Sequence, residues 1–496
     1  MSALPGAPLR PSLRLLGDDL VGRILDEAHE LLRDPGVRVQ DPEAVALLAG
    51  AGAEVAGEVV RIPARLVAAA LATAPGSFDL HDRSGAPAVR YGAGVVQFDP
   101  GSSGVNVLDP ATGDHRPSTA DDLVRLVRVA EMLPAYDAQS TAIVCGDVPA
   151  GVGDLYRLFL VLLGSAKPIV TGAFSPRGTT AMVDLLALDA GGREALAARP
   201  RAVFDVCPSP PLTWTEFGAR NLLDLARARV PAEMVSMPLA GGAAPVTLVG
   251  SVVQHAAECL AGVVIHQLAG PGAPIVWGGA PSIVDMRTGV TPMGAIETAM
   301  LDVAYAQVGR ALGLPTHGYL GATDGKVLDA QAGLESGIGA LVGALAGIDL
   351  ISGAGMLDSL RCQSAEKLVL DAEGIAMARR LLGGVATPTA TLATAMIRAA
   401  GPEARFLEQP ETRRLFRGEQ LLPSPVIDRA SLRAWEDEGR PDTRARARER
   451  VEELLAAYRR PALDPGVEAA MTDLVRAVGV PHGLAADLPG VAAARA

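Results

Sequence analysis

Between Leu314 and Glu335 the chain reads LPTHGYLGATDGKVLDAQAGLE, a short apolar run that ends at His317 and opens into a polar, glycine-rich loop. His317, Tyr319, Asp324, Lys326, Gln331 and Glu335 fall in this one stretch, with Gly321 and Gly325 to permit the turns. A histidine and two carboxylates next to a lysine and a phenol supply hydrogen-bond donors, acceptors and both signs of charge. His317, Asp324 and Glu335 are the candidate catalytic groups. Tyr319, Gln331 and Lys326 are candidate substrate ligands. Asp329, just before the next apolar-periodic run, reads as a helix cap.

A strand, loop and helix in that order aim the loop outward, so the rest of the chain must supply a frame of such units. From about Gly94 short apolar segments alternate with long amphipathic ones, as βαβ units require. Strands are predicted at 95–98, 140–144, 168–172, 202–206, 233–237, 274–277, 315–317 and 349–352. Helices fit between them, and another fits at 365–382. Eight strands with helical crossovers predict an α/β fold of the (β/α)8 TIM-barrel type, whose reactive rim lies at the carboxyl ends of the strands. There is no GxGxxG after the first strand and no P-loop, which argues against an open nucleotide-binding sheet. The expected domains are a mainly helical extension at 1–93, the barrel at 94–400, and an Arg- and Glu-rich helical segment at 401–496 packed on it. In that last segment Trp435 anchors an otherwise solvated face.

Composition bounds the function classes. Across 496 residues, 49% are hydrophobic, enough for a large core, and a net charge of −12 disfavours nucleic acid and anionic membrane as partners. The four cysteines are widely spaced without a CxxC pair, so the expectation is a reduced, cytoplasmic protein. The first twenty residues lack a signal-peptide core, and the apolar stretch 248–269 is interrupted by polar residues, as in a buried helix. His255, Cys259 and His266 share one face of that helix. Because the face turns inward they are read as core, and no metal is expected. Self-association is compatible with a large acidic barrel.

Several segments occur together in the order of a known family: RPSTADDL (116–123), SAKPIVTG (165–172), MPLAGGAAPVTLVGS (237–251), PGAPIVWGGAPSIVDMRTG (271–289), LPTHGYLGATDGKVLDAQAGLESG (314–337), SAEKLVLDAEG (364–374) and LFRGEQLLPSPVIDR. On these segments the chain resembles the trimethylamine methyltransferase family, corrinoid-dependent enzymes that include glycine betaine methyltransferases. The resemblance implies a barrel that moves a methyl group from a methylated amine to the cobalt of a corrinoid carried on a separate small protein. Archaeal trimethylamine enzymes of the family carry pyrrolysine in the barrel, whereas this chain is written with standard residues only. A quaternary ammonium already bears the charge that makes nitrogen a leaving group. The resemblance and this logic together favour a betaine-like donor over trimethylamine.

Such a donor calls for aromatic faces or carboxylates. Aromatics make up only 3% of the chain, and Phe98, Phe174, Trp277 and Tyr319 fall at or just beyond predicted strand ends, where they could line one pocket. His317, Lys326 and Arg287 are candidates for the carboxylate of a betaine. Asp324 and Glu335 are candidates for its ammonium. The glycines 241–242, 278–279, 353 and 355 could let a corrin ring approach the rim. Two other functions fit the same sequence: a betaine-binding sensor without turnover, and a demethylase for another amine, such as trimethylamine, or with another acceptor.

Overall fold

The computed structural model describes residues 9–175, 178–386, 392–402 and 405–496; the first eight residues, and the pair 403–404 in the charged carboxyl-terminal stretch, lie outside the described residues. Eight parallel strands form the centre: β1 (Gln97–Pro100), β2 (Gln139–Ser140), β3 (Ile169–Thr171), β4 (Ala202–Val206), β5 (Ala232–Ser236), β6 (Ile275–Gly279), β7 (His317–Tyr319) and β8 (Leu350–Ala354). Pairing runs unbroken from β2 through β3, β4 and β5 to β6, and from β7 through β8 to β1. Two seams close the ring. Trp277 donates its backbone N–H to the Pro315 carbonyl at 2.8 Å, and Asp137 donates to the Phe98 carbonyl at 2.8 Å. The expected strand at 315–317 is found two residues later, at β7. Proline has no N–H to give the ladder, so Pro315 contributes only its carbonyl.

Each strand is followed by a helix: α1 (Ala120–Met132), α2 (Gly153–Gly164), α3 (Gly178–Ala190), α4 (Glu216–Ala228), α5 (Leu248–Ala269), α6 (Ile296–Ala311), α7 (Ala330–Ala346) and α8 (Ala365–Leu382). Local chemistry sets where several begin. Thr119 and Asp122 form a reciprocal capping box on α1, and Asp329 caps α7 by accepting from Gln331 and Ala332. The long α5 has the length and apolar composition to cross a membrane, but 83% of its most apolar window is buried inside the molecule, as a core helix requires.

The amino-terminal residues do more than append to the barrel. Besides helices Asp18–Arg33, Pro42–Gly50 and Ala64–Thr73 they supply strands Val37–Val39, Glu54–Ala56 and Val59–Arg61. The first of these pairs in parallel with Thr213–Trp214, which lies between β4 and α4. A hairpin, Phe78–His81 with Pro87–Tyr91, then enters the barrel from below. Its Leu80, Val89 and Tyr91 pack with Val170, Val203, Val276 and Leu350, side chains of four barrel strands. The bottom of the barrel is therefore sealed, and the open end is the carboxyl rim. At the other end of the chain, helix Thr443–Ala457 lies on α1 and α8. Tyr458 fixes it by donating to the Gly164 carbonyl at 2.7 Å. Trp435 makes a local bond to the Pro441 carbonyl.

Candidate active site

Side chains of a strand alternate between the barrel interior and the helices, so one inward residue fixes the facing of its neighbours. His317 on β7 points inward, fully buried, and its Nε2 lies 2.7 Å from Ser352 Oγ on β8. Ser352 donates to Asp99 Oδ1 on β1 at 2.5 Å. On its other side, His317 Nδ1 contacts the Glu233 carboxyl of β5 and lies 3.3 Å from the Tyr91 hydroxyl at the open end of the plugging hairpin. Two residues further along β7, Tyr319 stacks on the His317 ring at 5.3 Å and 10°. Asp205 of β4 stands beside Glu233 in register, and both Tyr319 and Glu233 approach its carboxylate. One ring of the barrel interior thus holds Asp99, Asp205, Glu233, His317, Ser352 and two phenols.

The electrostatics of this ring are one-sided. Among the described residues no lysine or arginine makes an ion pair with Asp99, Asp205 or Glu233, and His317 is the basic group in contact with Glu233 and near Asp99. Asp99 Oδ2, Asp205 Oδ1 and Glu233 Oε1 are buried without a hydrogen-bond partner, while Glu233 Oε2 contacts His317 Nδ1. Burial, compounded by the neighbouring carboxyls, raises Asp99 to about 8 and holds Asp205 well above the usual carboxylate range. Burial raises Glu233 as well. It lowers His317, which favours the neutral imidazole. Asp205 and Cys207 keep partial exposure, so the ring opens upward to solvent past β4. A cation entering there would meet carboxyl oxygens that have no hydrogen-bond partner.

Two expected ligands are corrected by the parity of their strands. Because Asp99 faces in, Phe98 faces out, under the Arg379 guanidinium at 5.3 Å. Trp277 likewise faces out, donating to the Tyr305 carbonyl of α6 and meeting His255 of α5 edge-on at 5.6 Å. Only Tyr319 of the four aromatics lines the interior ring. Phe174 stands at the rim, 61% exposed, with the Arg157 guanidinium 5.2 Å from its centroid.

The loop carboxylates are spent on backbone. Asp324 accepts from the N–H groups of Met293 and Gly294 and from Ser359, while Glu335 accepts from the Asp324 N–H, Thr323 and Gln331. They brace the β6–α6 loop against the β7–α7 loop and set Met293 beside Tyr319. Lys326 and Gln331 are exposed, Lys326 curling back to the Asp324 carbonyl. Arg287, also exposed, is paired with Asp285. His255 is held by the Gly278 carbonyl at 2.9 Å and stacks on Tyr305.

The glycines at 278 and 279 serve packing inside the barrel wall, since a Cβ at 278 would lie 2.0 Å from Glu233 Oε1 and one at 279 would lie 2.4 Å from His255 Nε2. Gly353, at φ +115°, lets β8 close on the backbone of Gly321 and Ala322. The residues missed from sequence, namely Asp99, Asp205, Glu233, Tyr91 and Ser352, are strand or hairpin residues and not loop ones.

Comparison with known proteins agrees with the barrel fold. A solved structure of the Methanosarcina barkeri monomethylamine methyltransferase shares the fold, with a TM-score of 0.52 over 89% of each chain at 12% identity. Among curated sequences, the chain is 28% identical to a trimethylamine methyltransferase of Desulfitobacterium hafniense (strain DSM 10664 / DCB-2), covering 92% of each. It is 29% identical to a glycine betaine methyltransferase of Desulfitobacterium hafniense (strain Y51) over 93% of this chain and 96% of that one. It is 31% identical to a trimethylamine methyltransferase of Methanosarcina thermophila over 88% and 92%. The family profile described as trimethylamine methyltransferase (MTTB) matches residues 7–478. The chain belongs to the trimethylamine methyltransferase family.

Proposed function

We propose that the chain takes a methyl group from a quaternary amine of the glycine betaine kind and passes it to a corrinoid carried by a separate small protein. The observation that carries this reading is the ring of three carboxyls, two of them fully buried, with unpartnered oxygens and, among the described residues, no lysine or arginine paired with them. A permanent positive charge on the donor completes that ring, and the Tyr319 face adds a cation–π contact of about 0.5–2 kcal/mol.

The rim suits the acceptor. Val144, Phe174, Met237, Val246, Met286 and Val290, all exposed, sit on loops that follow barrel strands and present an apolar border to the face of a corrin. Bound there, the corrinoid supplies reduced cobalt(I) as the nucleophile. The protein contributes placement and charge. As the carbon–nitrogen bond breaks, its electron pair stays on nitrogen and the amine leaves neutral, so no general acid has to protonate it. The reluctance of the carboxyls to ionise then matters: they give up protons while a cation is bound and regain them when its charge disappears. The nitrogen no longer carries the charge that held it to the ring, and the site empties.

The test supplies purified enzyme with a reduced corrinoid and either glycine betaine or trimethylamine. Consumption of the reduced corrinoid with an equivalent of dimethylglycine is the expected result. Demethylation of trimethylamine alone would overturn the quaternary-donor reading, and betaine binding without demethylation would make the protein a sensor.

A further inference from the structure

The acidic ring accounts for the ammonium of a betaine but leaves its carboxylate without a partner. Lys326 and Arg287 point to solvent. Arg157, at the start of the second turn of α2, is the basic residue placed to serve. It is only 2% exposed, and its guanidinium turns back to the carboxyl end of β2. There Nη1 donates to the Thr141 carbonyl at 3.1 Å, to Ser103 Oγ at 3.2 Å and, more distantly, to the Ile143 carbonyl at 3.5 Å. Nε and Nη2 have no hydrogen-bond partner among the described residues, and no carboxylate there pairs with the guanidinium. A buried cation with an unused edge of its donor fork is matched to a planar anion.

Its neighbours tie it to the mouth of the barrel. Asp154 accepts from the backbone N–H groups of Phe174 and Ser175 at 2.8 and 2.9 Å, which fixes the Phe174 ring against the guanidinium. Beneath that ring lies Gly172. A Cβ there would be 3.7 Å from Phe174 Cζ and 3.5 Å from Asp205 Cβ, so the aromatic ring and the largely buried Asp205 side chain border the same small space. Positive and negative groups therefore border one edge of the opening, on either side of Phe174 and Gly172.

We propose that Arg157 binds the carboxylate of the methyl donor while Asp205 and Glu233 face its ammonium, which makes the substrate class an N-methylated amino acid rather than a simple alkylammonium. The assignment rests on the reading that the acidic ring takes an ammonium.

Calorimetric titration of the full chain with three probes separates the two ideas: glycine betaine, tetramethylammonium, and 3,3-dimethylbutyrate, which keeps the carboxylate and replaces the ammonium by an uncharged group of the same shape. The wild type is expected to bind betaine at least tenfold more tightly than either single-ended probe. Arg157→Met is expected to erase the preference over tetramethylammonium while leaving tetramethylammonium within twofold, and Arg157→Lys to restore part of the preference. Wild-type protein that binds tetramethylammonium as tightly as betaine overturns the role of Arg157 without recourse to any variant. So does an Arg157→Met protein that weakens both cations equally. Wild-type protein that binds 3,3-dimethylbutyrate as tightly as betaine, with Arg157→Met abolishing both, instead sinks the ammonium reading and leaves the anion site standing.

Discussion

At the scale of single residues, the site is a set of acids held where acids are costly. Asp99 illustrates the consequence for pH. In the folded chain its affinity for a proton rises from the ordinary 3.8 to about 8 because burial penalises the charged form. A bound cation favours the ionised form and lowers that value, so donor binding expels a proton below about pH 8. Affinity for tetramethylammonium should climb with pH up to about 8 and level off above it, and Asp99→Asn should flatten the climb, as titrations across pH 6–9 would show.

Stability carries the opposite sign. A folded value above the unfolded one stabilises at low pH, and this contribution is lost as pH rises from about 4 to 8. Asp99→Asn should therefore gain melting temperature relative to wild type as the pH goes from 5 to 9. Glu233→Gln keeps the volume but removes one of the three carboxyls; a roughly ten- to hundredfold loss of cation affinity, about 1.4–2.8 kcal/mol, is expected by calorimetry. These acids were legible in one respect: QFDP, AVFDV and AEMVS each set one acidic residue in an otherwise apolar strand, a placement that demands a reason. The polar loop at 320–335 drew attention because loops so often carry function, yet its carboxylates had backbone partners that no sequence displays.

At the scale of elements, strand parity decides what a substitution does, and two glycines make the contrast measurable. Gly278 faces the interior, where an added methyl would meet Glu233 Oε1 at 2.0 Å. Gly278→Ala must displace that carboxyl, and a hundredfold or greater loss in kcat/KM with a modest change in melting temperature is expected. Gly309 on α6 faces the outer wall, where a Cβ would lie 2.5 Å from Trp277 Cδ1. Gly309→Ala overpacks the helix–strand layer, and the expected cost is about 1–3 kcal/mol of stability with KM for the donor unchanged. Thermal melts and steady-state kinetics on the pair would expose an error in either facing.

The alternation of apolar runs and amphipathic helices was enough to place eight strands, because a parallel barrel writes its period locally. The plug was harder to see. Phe78, Leu80, Val89 and Tyr91 alternate as a hairpin should, but their burial depends on strands far along the chain, and only closure of the ring brings Tyr91 to His317.

At the scale of the whole molecule, the sealed bottom and the open rim give the barrel a direction. The hairpin closes the amino end, the acids lie midway, and the exposed Val144, Phe174, Met237, Val246, Met286 and Val290 lie on loops at the top. On the proposed function, donor and acceptor must both use that one opening, so the donor binds below and the corrinoid protein covers it. The two events are separable by mutation. Met286 is 68% exposed on the β6–α6 loop, and Val246 is 68% exposed on the β5–α5 loop. Met286→Asp with Val246→Asp places charge in the border without touching the acidic ring. The double variant should keep its affinity for tetramethylammonium, since Glu233 and Asp205 are undisturbed. Its KM for the corrinoid protein should rise about tenfold or more, because each new carboxylate must be desolvated against an apolar face. Titration of the partner at saturating donor reads the second quantity, and calorimetry reads the first. Loss of donor affinity in the variant would mean that the rim and the ring are one site and that donor and acceptor do not occupy successive layers. An unchanged KM for the partner would move the acceptor to another face of the barrel.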